Sequence, residues 1–155
     1  MVSYLINEET CALIPVGNAK TNIIENTCNK VFTENCTDIV SYSCKVNGST
    51  LDGRQKGSSY LIGSSYKPPI IINDEIGLIL IPTHSTRNKD CIWISLNNLL
   101  NYGPIKNDKV EIEFRNHEKM IVNTSFNIFD KQVLRATRLE SALRGRNSKK
   151  NYKYL

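Results

Sequence analysis

The chain has 155 residues, of which 40% are hydrophobic and 23% charged, as is ordinary for a single soluble globular domain. No apolar run approaches the roughly 18 residues that a membrane span needs, and residues 1–7 lack the basic start and long apolar stretch of a signal peptide. We therefore expect a cytoplasmic protein without a membrane partner, folded as one domain over residues 1–145.

The formal net charge of +5 is unevenly placed. Residues 1–60 and residues 61–130 each carry a net charge of −1, whereas residues 131–155 carry eight Lys or Arg against one Glu, a net of +7. A polyanionic partner explains this excess, and a solubilising tail explains it equally well. We expect residues 146–155 to form a basic, flexible tail.

Five cysteines, at positions 11, 28, 36, 44 and 91, include no Cys-x-x-Cys pair. The eight-residue spacing of Cys28, Cys36 and Cys44 matches no common zinc site. We predict buried free thiols, and neither a metal nor another cofactor.

The first predicted elements are strands and one helix. Thr10–Val16 is typical of a strand, and Asn26–Phe32 gives a weaker signal for a second one. A helix is predicted over residues 37–47, because Thr37 or Asp38 can cap its start and a following Asn-Gly pair can end it.

Residues 48–59 are predicted to be a loop, because glycine recurs in them at positions 48, 53 and 57. Backbone amides in such a loop can hold a phosphate, and Arg54 and Lys56 would add positive charge. The pattern is neither a nucleotide phosphate-binding loop nor a dinucleotide fingerprint, so we interpret it as a loop that contacts a nucleic-acid backbone.

Three apolar runs in the centre of the chain, at residues 69–72, 78–81 and 91–95, are predicted strands. The first two lack the alternation of a half-exposed strand, which indicates burial on two faces. Trp93, the only tryptophan, lies in the third run, and we favour a core position for it over stacking on DNA.

The last third of the chain predicts a short helix over residues 97–102, a hairpin over residues 110–122 with His117 in its turn, and a helix over residues 127–144. The predicted fold is therefore α+β. It combines a mainly antiparallel sheet with a short helix near residues 37–47 and the long C-terminal helix.

Candidates for catalysis are weak. His84 and Ser85 are adjacent on an extended segment, so their side chains point apart, and no residue pattern activates Cys91 as a nucleophile. Asp74-Glu75 lies in a predicted turn, where carboxylates are usually solvated. We therefore expect no enzymatic activity and assign no catalytic residue.

The loop over residues 82–90 joins two predicted strands and is rich in hydroxyls and cations. We place at its exposed end Thr83, Ser85, Thr86, Arg87 and Lys89. Such groups contact phosphates, and an arginine on a thin loop fits a narrow, AT-rich minor groove. On composition alone, a solvated polar loop is equally consistent.

Short motifs in the chain resemble the ComK family, the competence transcription factors of Gram-positive bacteria. The most specific are Lys67-Pro68-Pro69-Ile70 and Trp93-Ile94-Ser95. Collinear matches over residues 10–146 are Cys44, Gly48-Ser49, Gly53-Arg54, Gly57, Pro82-Thr83, Ser85-Thr86-Arg87, Cys91, Phe114, Asn116, Met120, Ser125, Asn127, Phe129, Gln132-Val133, Arg135 and Leu139. The resemblance implies a sequence-specific DNA-binding activator of DNA-uptake genes, which acts as an oligomer on paired AT-rich boxes and binds them through the minor groove.

The resemblance also implies partners. Double-stranded DNA and further copies of the chain come first, RNA polymerase is a candidate, and the protein is expected on the nucleoid. Family members also carry an apolar-aromatic recognition motif for an adaptor and a Clp-type protease in an extended C-terminal tail. Tyr152–Leu155 matches that motif only faintly, so we do not carry this control over.

We predict that Arg87 and its loop enter the minor groove, while Arg54 and Lys56 contact the flanking phosphates. The last helix is expected to pack its apolar side on the sheet, and its basic side offers either further phosphate contacts or a dimer face. The predicted DNA-contact residues are Arg54, Lys56, Lys67, Thr83, Ser85, Thr86, Arg87, Lys89, Arg135 and Arg138. The alternative is a regulatory module that binds another protein through the basic C-terminal surface. An RNA binder is a weaker rival, because exposed aromatic pairs for base stacking are not evident.

Overall fold

The computed structural model describes residues 2–17 and 19–153, with side chains described up to residue 146. The strands are β1 (Thr10–Val16), β2 (Lys20–Glu25), β3 (Asn29–Phe32), β4 (Ile70–Asn73), β5 (Leu78–Pro82), β6 (Trp93–Ser95), β7 (Leu99–Ile105), β8 (Lys109–Phe114) and β9 (Lys119–Val122). The helices are α1 (Cys36–Val46), α2 (Leu51–Ile62) and α3 (Phe126–Lys153), and Leu96–Asn98 forms a 3-10 turn. The predicted α+β class is confirmed.

The strands form two antiparallel sheets. The first sheet has six strands in the order β3-β2-β1-β6-β5-β4, and the second has three in the order β7-β8-β9. In the middle of the first sheet β6 pairs with β1 on one side and with β5 on the other, so that Ile94 lies opposite both Ala12 and Ile81. The predicted hairpin is confirmed as β8 and β9.

The first sheet is buried on both faces. One face packs with α1 and the N-terminal segment, and the other packs with α3 and the second sheet. Neighbouring side chains of β5 show the division, because Leu80 and Ile81 are both 0% exposed and belong to opposite clusters. This arrangement confirms the two-faced burial predicted from the continuous apolar runs. Trp93 is 1% exposed in the cluster with α1, which confirms its core position.

Helix α3 carries the apolar stripe that its sequence predicts. Its buried side chains include Phe129, Ala136 and Leu139, which pack on the two sheets. The helix runs to Lys153, beyond the predicted end near residue 144. The side chains of residues 147–155 lie outside the described residues, so the flexible basic tail stays a prediction. Among the described helices, none offers a stretch both long and apolar enough to cross a membrane.

Helix α2 replaces the loop predicted over residues 48–59, and that prediction was wrong. Thr50 caps the helix, its Oγ1 accepting a hydrogen bond from the amide of Gly53 at 2.9 Å. Gly63 ends it in the left-handed conformation with φ of 70°. Between the caps, Ser58 and Ile62 are buried. Local caps and tertiary packing therefore outweigh the helix-weakening glycines.

The helix predicted over residues 97–102 was also wrong. Asn97 does not cap a helix, because its side chain accepts from the amide of Ile79 at 3.1 Å and donates to the carbonyl of Gly77 at 2.9 Å. The chain then continues as β7, in which Leu99 pairs with Phe114. The weak second strand was wrong in its bounds, since a turn separates β2 from β3.

Four of the five free cysteines are buried as predicted, and Cys28 is the exception. It is exposed between β2 and β3, where its Sγ lies 3.4 Å from Oε1 of Glu25. Burial raises the pKa of the Cys11, Cys44 and Cys91 thiols to about 11. These three thiols are protonated near neutral pH and pack as small apolar side chains.

Candidate nucleic-acid interface

The loop over residues 82–90 is closed at its base by Thr83. The amide of Thr83 donates to the carbonyl of Ile92 at 2.9 Å, and the amide of Ile92 donates to Oγ1 of Thr83 at 2.9 Å. Thr83 is only 2% exposed, so its predicted place at the exposed end of the loop is wrong. Its hydroxyl holds the two strands of the loop together from within.

Two consecutive turns form the tip of the loop. The amide of Asn88 donates to the carbonyl of Ser85 at 2.9 Å, and the amide of Cys91 donates to the carbonyl of Asn88 at 3.1 Å. Arg87 is a central residue of the first turn and Lys89 of the second, and both are exposed. Hydrogen bonds from a carbonyl to the amide three residues later are those of β-turns. They fix the backbone conformation of the tip and therefore the positions from which the two cationic side chains extend.

Gln132 of α3 fastens the loop to the rest of the fold. It is 1% exposed, and its Nε2 donates to the carbonyl of Pro82 at 2.9 Å and to that of Lys67 at 3.0 Å. Its Oε1 accepts from Nη1 of Arg135 at 2.9 Å. No separate role for Gln132 was predicted from the sequence. The sequence indicated such a role only in that Gln132 places a polar amide side chain beside the apolar stripe of a predicted helix.

Lys67 is held beside the base of the loop. Its Nζ donates to the carbonyl of Thr83 at 3.2 Å and lies 5.7 Å from the centre of the Tyr66 ring. Burial lowers the pKa of Lys67, and the nearby charge of Arg135 lowers it further. Lys67 and Arg135 therefore carry neighbouring positive charges near the base of the loop, and their role as DNA contacts stays a prediction.

A groove of about 430 Å³ separates α2 from the loop, and we name it the first groove. Four predicted contact residues line it: Lys56, Lys67, Ser85 and Thr86. Lys56 also pairs with Asp52 at 3.0 Å, but both side chains are highly exposed, so this ion pair contributes little to stability. The groove joins two cations from separate parts of the chain, together with the carboxylate of Asp52, to two loop residues with hydroxyls.

The other six predicted contact residues do not line this groove, and two of them, Arg54 and Arg138, lie away from the loop and its base. Arg54 lies at the junction of α1 and α2, where its Nη2 donates to the carbonyl of Asn47 at 3.3 Å and its Nε is buried. Arg138 is exposed on α3, about one turn beyond Arg135. Arg54 therefore connects α2 to the C-terminal end of α1. The side chain of Arg138 is exposed at a position outside the groove.

Replacing Gln132 by methionine is expected to lower the free energy of unfolding by about 1–3 kcal/mol, because the buried carbonyl of Pro82 and the partly buried carbonyl of Lys67 lose their donor. Lys131→Met on the exposed face of the same helix is the control and is expected to change stability little. Denaturant unfolding followed by circular dichroism measures both. Equal midpoints for the two variants would contradict the fastening role.

Comparison with known proteins places the chain in a family. The model of the family described as ComK protein matches residues 1–148. The chain belongs to the ComK family. It is also 31% identical over 147 residues to the competence transcription factor of Bacillus subtilis (strain 168), a match that covers 93% of this chain and 77% of that relative. No solved structure matches the chain.

The motifs that carried the resemblance to the ComK family have distinct places in the fold. Trp93-Ile94-Ser95 is β6, the strand in the middle of the first sheet, and all three side chains are buried. Lys67-Pro68-Pro69 runs from the first groove into β4, and Ser85-Thr86-Arg87 forms the tip of the loop. In this ComK-family chain, the Trp-Ile-Ser motif builds the core of the first sheet, and the Ser-Thr-Arg motif lies at the surface.

Proposed function

We propose that this ComK-family protein is a competence transcription regulator that activates genes by binding AT-rich double-stranded DNA through the minor groove. The supporting observation is the loop over residues 82–90, which presents Arg87 at an exposed corner on a base fixed by Thr83 and Gln132. A narrow AT-rich minor groove concentrates negative potential, and an inserted arginine exploits it. The name of the relative in Bacillus subtilis supports the assignment to competence.

In this proposal the first groove receives the phosphates of one DNA strand. Lys56 and Lys67 supply the charge, and Ser85 and Thr86 supply hydroxyl groups along the same wall. Phosphate contacts of this kind set position and orientation and carry no sequence information. Preference for AT-rich sequence then comes from the Arg87 loop in the minor groove. Arg138 on α3 is proposed to contact phosphates farther along the duplex or a second copy of the chain.

Competition between an AT-rich duplex, a GC-rich duplex and single-stranded RNA tests the proposal. The AT-rich duplex is expected to bind tightest. Its affinity should fall with salt at a log–log slope of about −2.7 or steeper, since Lys56, Lys67 and Lys89 each add roughly −0.9 per phosphate contacted. Preference for RNA, or no binding to either duplex, would contradict the proposal and favour a protein-binding regulatory module.

A further inference from the structure

A second groove, of about 300 Å³, meets the 82–90 loop at residues 86–89. Its walls are the loop, the neighbouring ends of β1 and β2 at Pro15, Gly17 and Lys20, and the start of α1. The charged residues among those lining it are three cations, Lys20, Arg87 and Lys89, and one carboxylate, Asp38. Its charge therefore favours an anion, as does that of the first groove.

The start of α1 adds backbone donors to the second groove. Asn35 caps the helix by accepting from the amide of Asp38 at 2.8 Å. Cys36 and Thr37, which also line the groove, occupy the first turn, where amides have no partner within the helix. The amides and the helix dipole together make such a terminus attractive to a phosphate.

An independent feature of the same groove is an unsatisfied donor. Trp93 forms part of the wall, and its indole Nε1 is buried without a hydrogen-bond partner among the described residues. A buried donor without a partner costs free energy. The wall thus combines side-chain cations and helix amides, and it includes the Trp93 side chain with its unpaired N–H group.

We infer that the second groove holds a backbone phosphate of the opposite DNA strand, so that the loop is straddled by the two strands of one duplex. The inference rests on the proposed function. The minor groove is about 6 Å wide and is bounded by one phosphate backbone on each side. A loop inserted between the backbones needs an anion-binding surface on both of its flanks. The first groove meets the loop at Ser85 and Thr86, and the second meets it at residues 86–89, so each groove supplies one such surface in this inference.

Lys20 is the residue that tests this inference, because it lines the second groove and lies outside the loop. Lys20→Ala is expected to weaken binding to AT-rich and GC-rich duplexes by the same factor and to reduce the salt slope by roughly 0.9. The preference for AT-rich over GC-rich DNA should not change, since a phosphate contact does not discriminate sequence. Lys30→Ala, at an exposed position on β3, removes the same charge and is the matched control.

Duplexes with neutral methylphosphonate linkages on one strand identify the strand. Wild-type protein is expected to lose affinity when either strand is neutralised beside the AT-rich box. Lys20→Ala should lose sensitivity to neutralisation of one strand only, whereas Lys56→Ala should lose sensitivity to the other. Both variants leave residues 82–90 unchanged. A difference between them in strand sensitivity therefore reports on the two grooves and not on the loop.

Equal affinities and salt slopes for Lys20→Ala and Lys30→Ala, in a protein that still prefers AT-rich duplex, would overturn this inference and leave the proposed function standing. Sensitivity of both lysine variants to the same strand would overturn it as well. Failure of the wild-type protein to bind any duplex would remove the proposed function, and this inference with it.

Discussion

Arg87→Ala is expected to cost about 1–3 kcal/mol of binding free energy on an AT-rich duplex and to reduce the preference for AT-rich over GC-rich DNA. The reason is the position of Arg87 at the exposed corner of a turn between two cationic grooves. Loss of its side chain removes the group proposed to enter the minor groove and leaves the lysines of both grooves in place. Fluorescence anisotropy with labelled duplexes of both compositions measures the two effects together.

Two control variants separate charge from shape at this position. Arg87→Lys keeps the positive charge but not the planar guanidinium, so it is expected to keep the salt slope and lose part of the AT preference. Lys106→Ala removes an exposed charge far along the chain in the β7–β8 turn and is expected to leave both quantities unchanged. If Arg87→Ala behaves like Lys106→Ala, the loop has no part in DNA binding.

Trp93→Ala is expected to lower the free energy of unfolding by about 3–5 kcal/mol, a large part of the roughly 5–15 kcal/mol typical of a folded protein. Trp93 is 1% exposed on β6 and belongs to the cluster that joins the first sheet to α1. Its truncation removes a large apolar surface and leaves a cavity. Circular dichroism in denaturant is the suitable measurement, because the variant contains no tryptophan to report by fluorescence.

Trp93→Phe is the graded control, since it retains an aromatic ring in the same place and is expected to cost less than alanine. A denaturation midpoint for Trp93→Ala equal to that of the wild-type protein would contradict the core position.

Elements whose pattern reports directly on burial were predictable from the sequence. The runs around Ile70–Ile72 and Leu78–Ile81 lack alternation because they are covered on both faces, and neither face therefore carries polar side chains. The apolar stripe of α3 and the alternating side chains of β8 were predictable for a related reason. Each element is covered on one face only, so its apolar residues recur with the period of a helix or of a strand. The loop with Arg87 was placed between the correct strands for this reason.

Elements decided by distant contacts were not predictable. Helix α2 looks like a loop because of Gly53 and Gly57, and its stability depends on caps and on Ser58 and Ile62 packing into the fold. Asn98 resembles a helix cap, but its side chain donates to the carbonyl groups of Glu8 and Thr10, some ninety residues earlier. No local pattern contains such partners.

The candidate site shows the same division. Its exposed cations were found from composition, since Arg87 and Lys89 lie in a polar segment between apolar runs. The position of Lys20 on the second groove and the hydrogen bonds of Gln132 to the base of the loop were not predicted, because each depends on residues brought together from other parts of the chain. The position of Thr83 was predicted wrongly because its hydroxyl group does not point to solvent. It accepts a hydrogen bond from the amide of Ile92 at the base of the same loop.

The position of β6 in the first sheet has a consequence for how the chain folds. Strands β1 to β3 pair among themselves, as do β4 and β5, and β6 is the strand that joins the two groups. During synthesis the two halves therefore stand apart, each with an open apolar edge, until residues 93–95 have emerged from the ribosome. Because this closing step joins residues as far apart as Ala12 and Ile94, folding is expected to be slow for a chain of this length. Until it is complete, the edges of β1 and β5 are open to pairing with other chains.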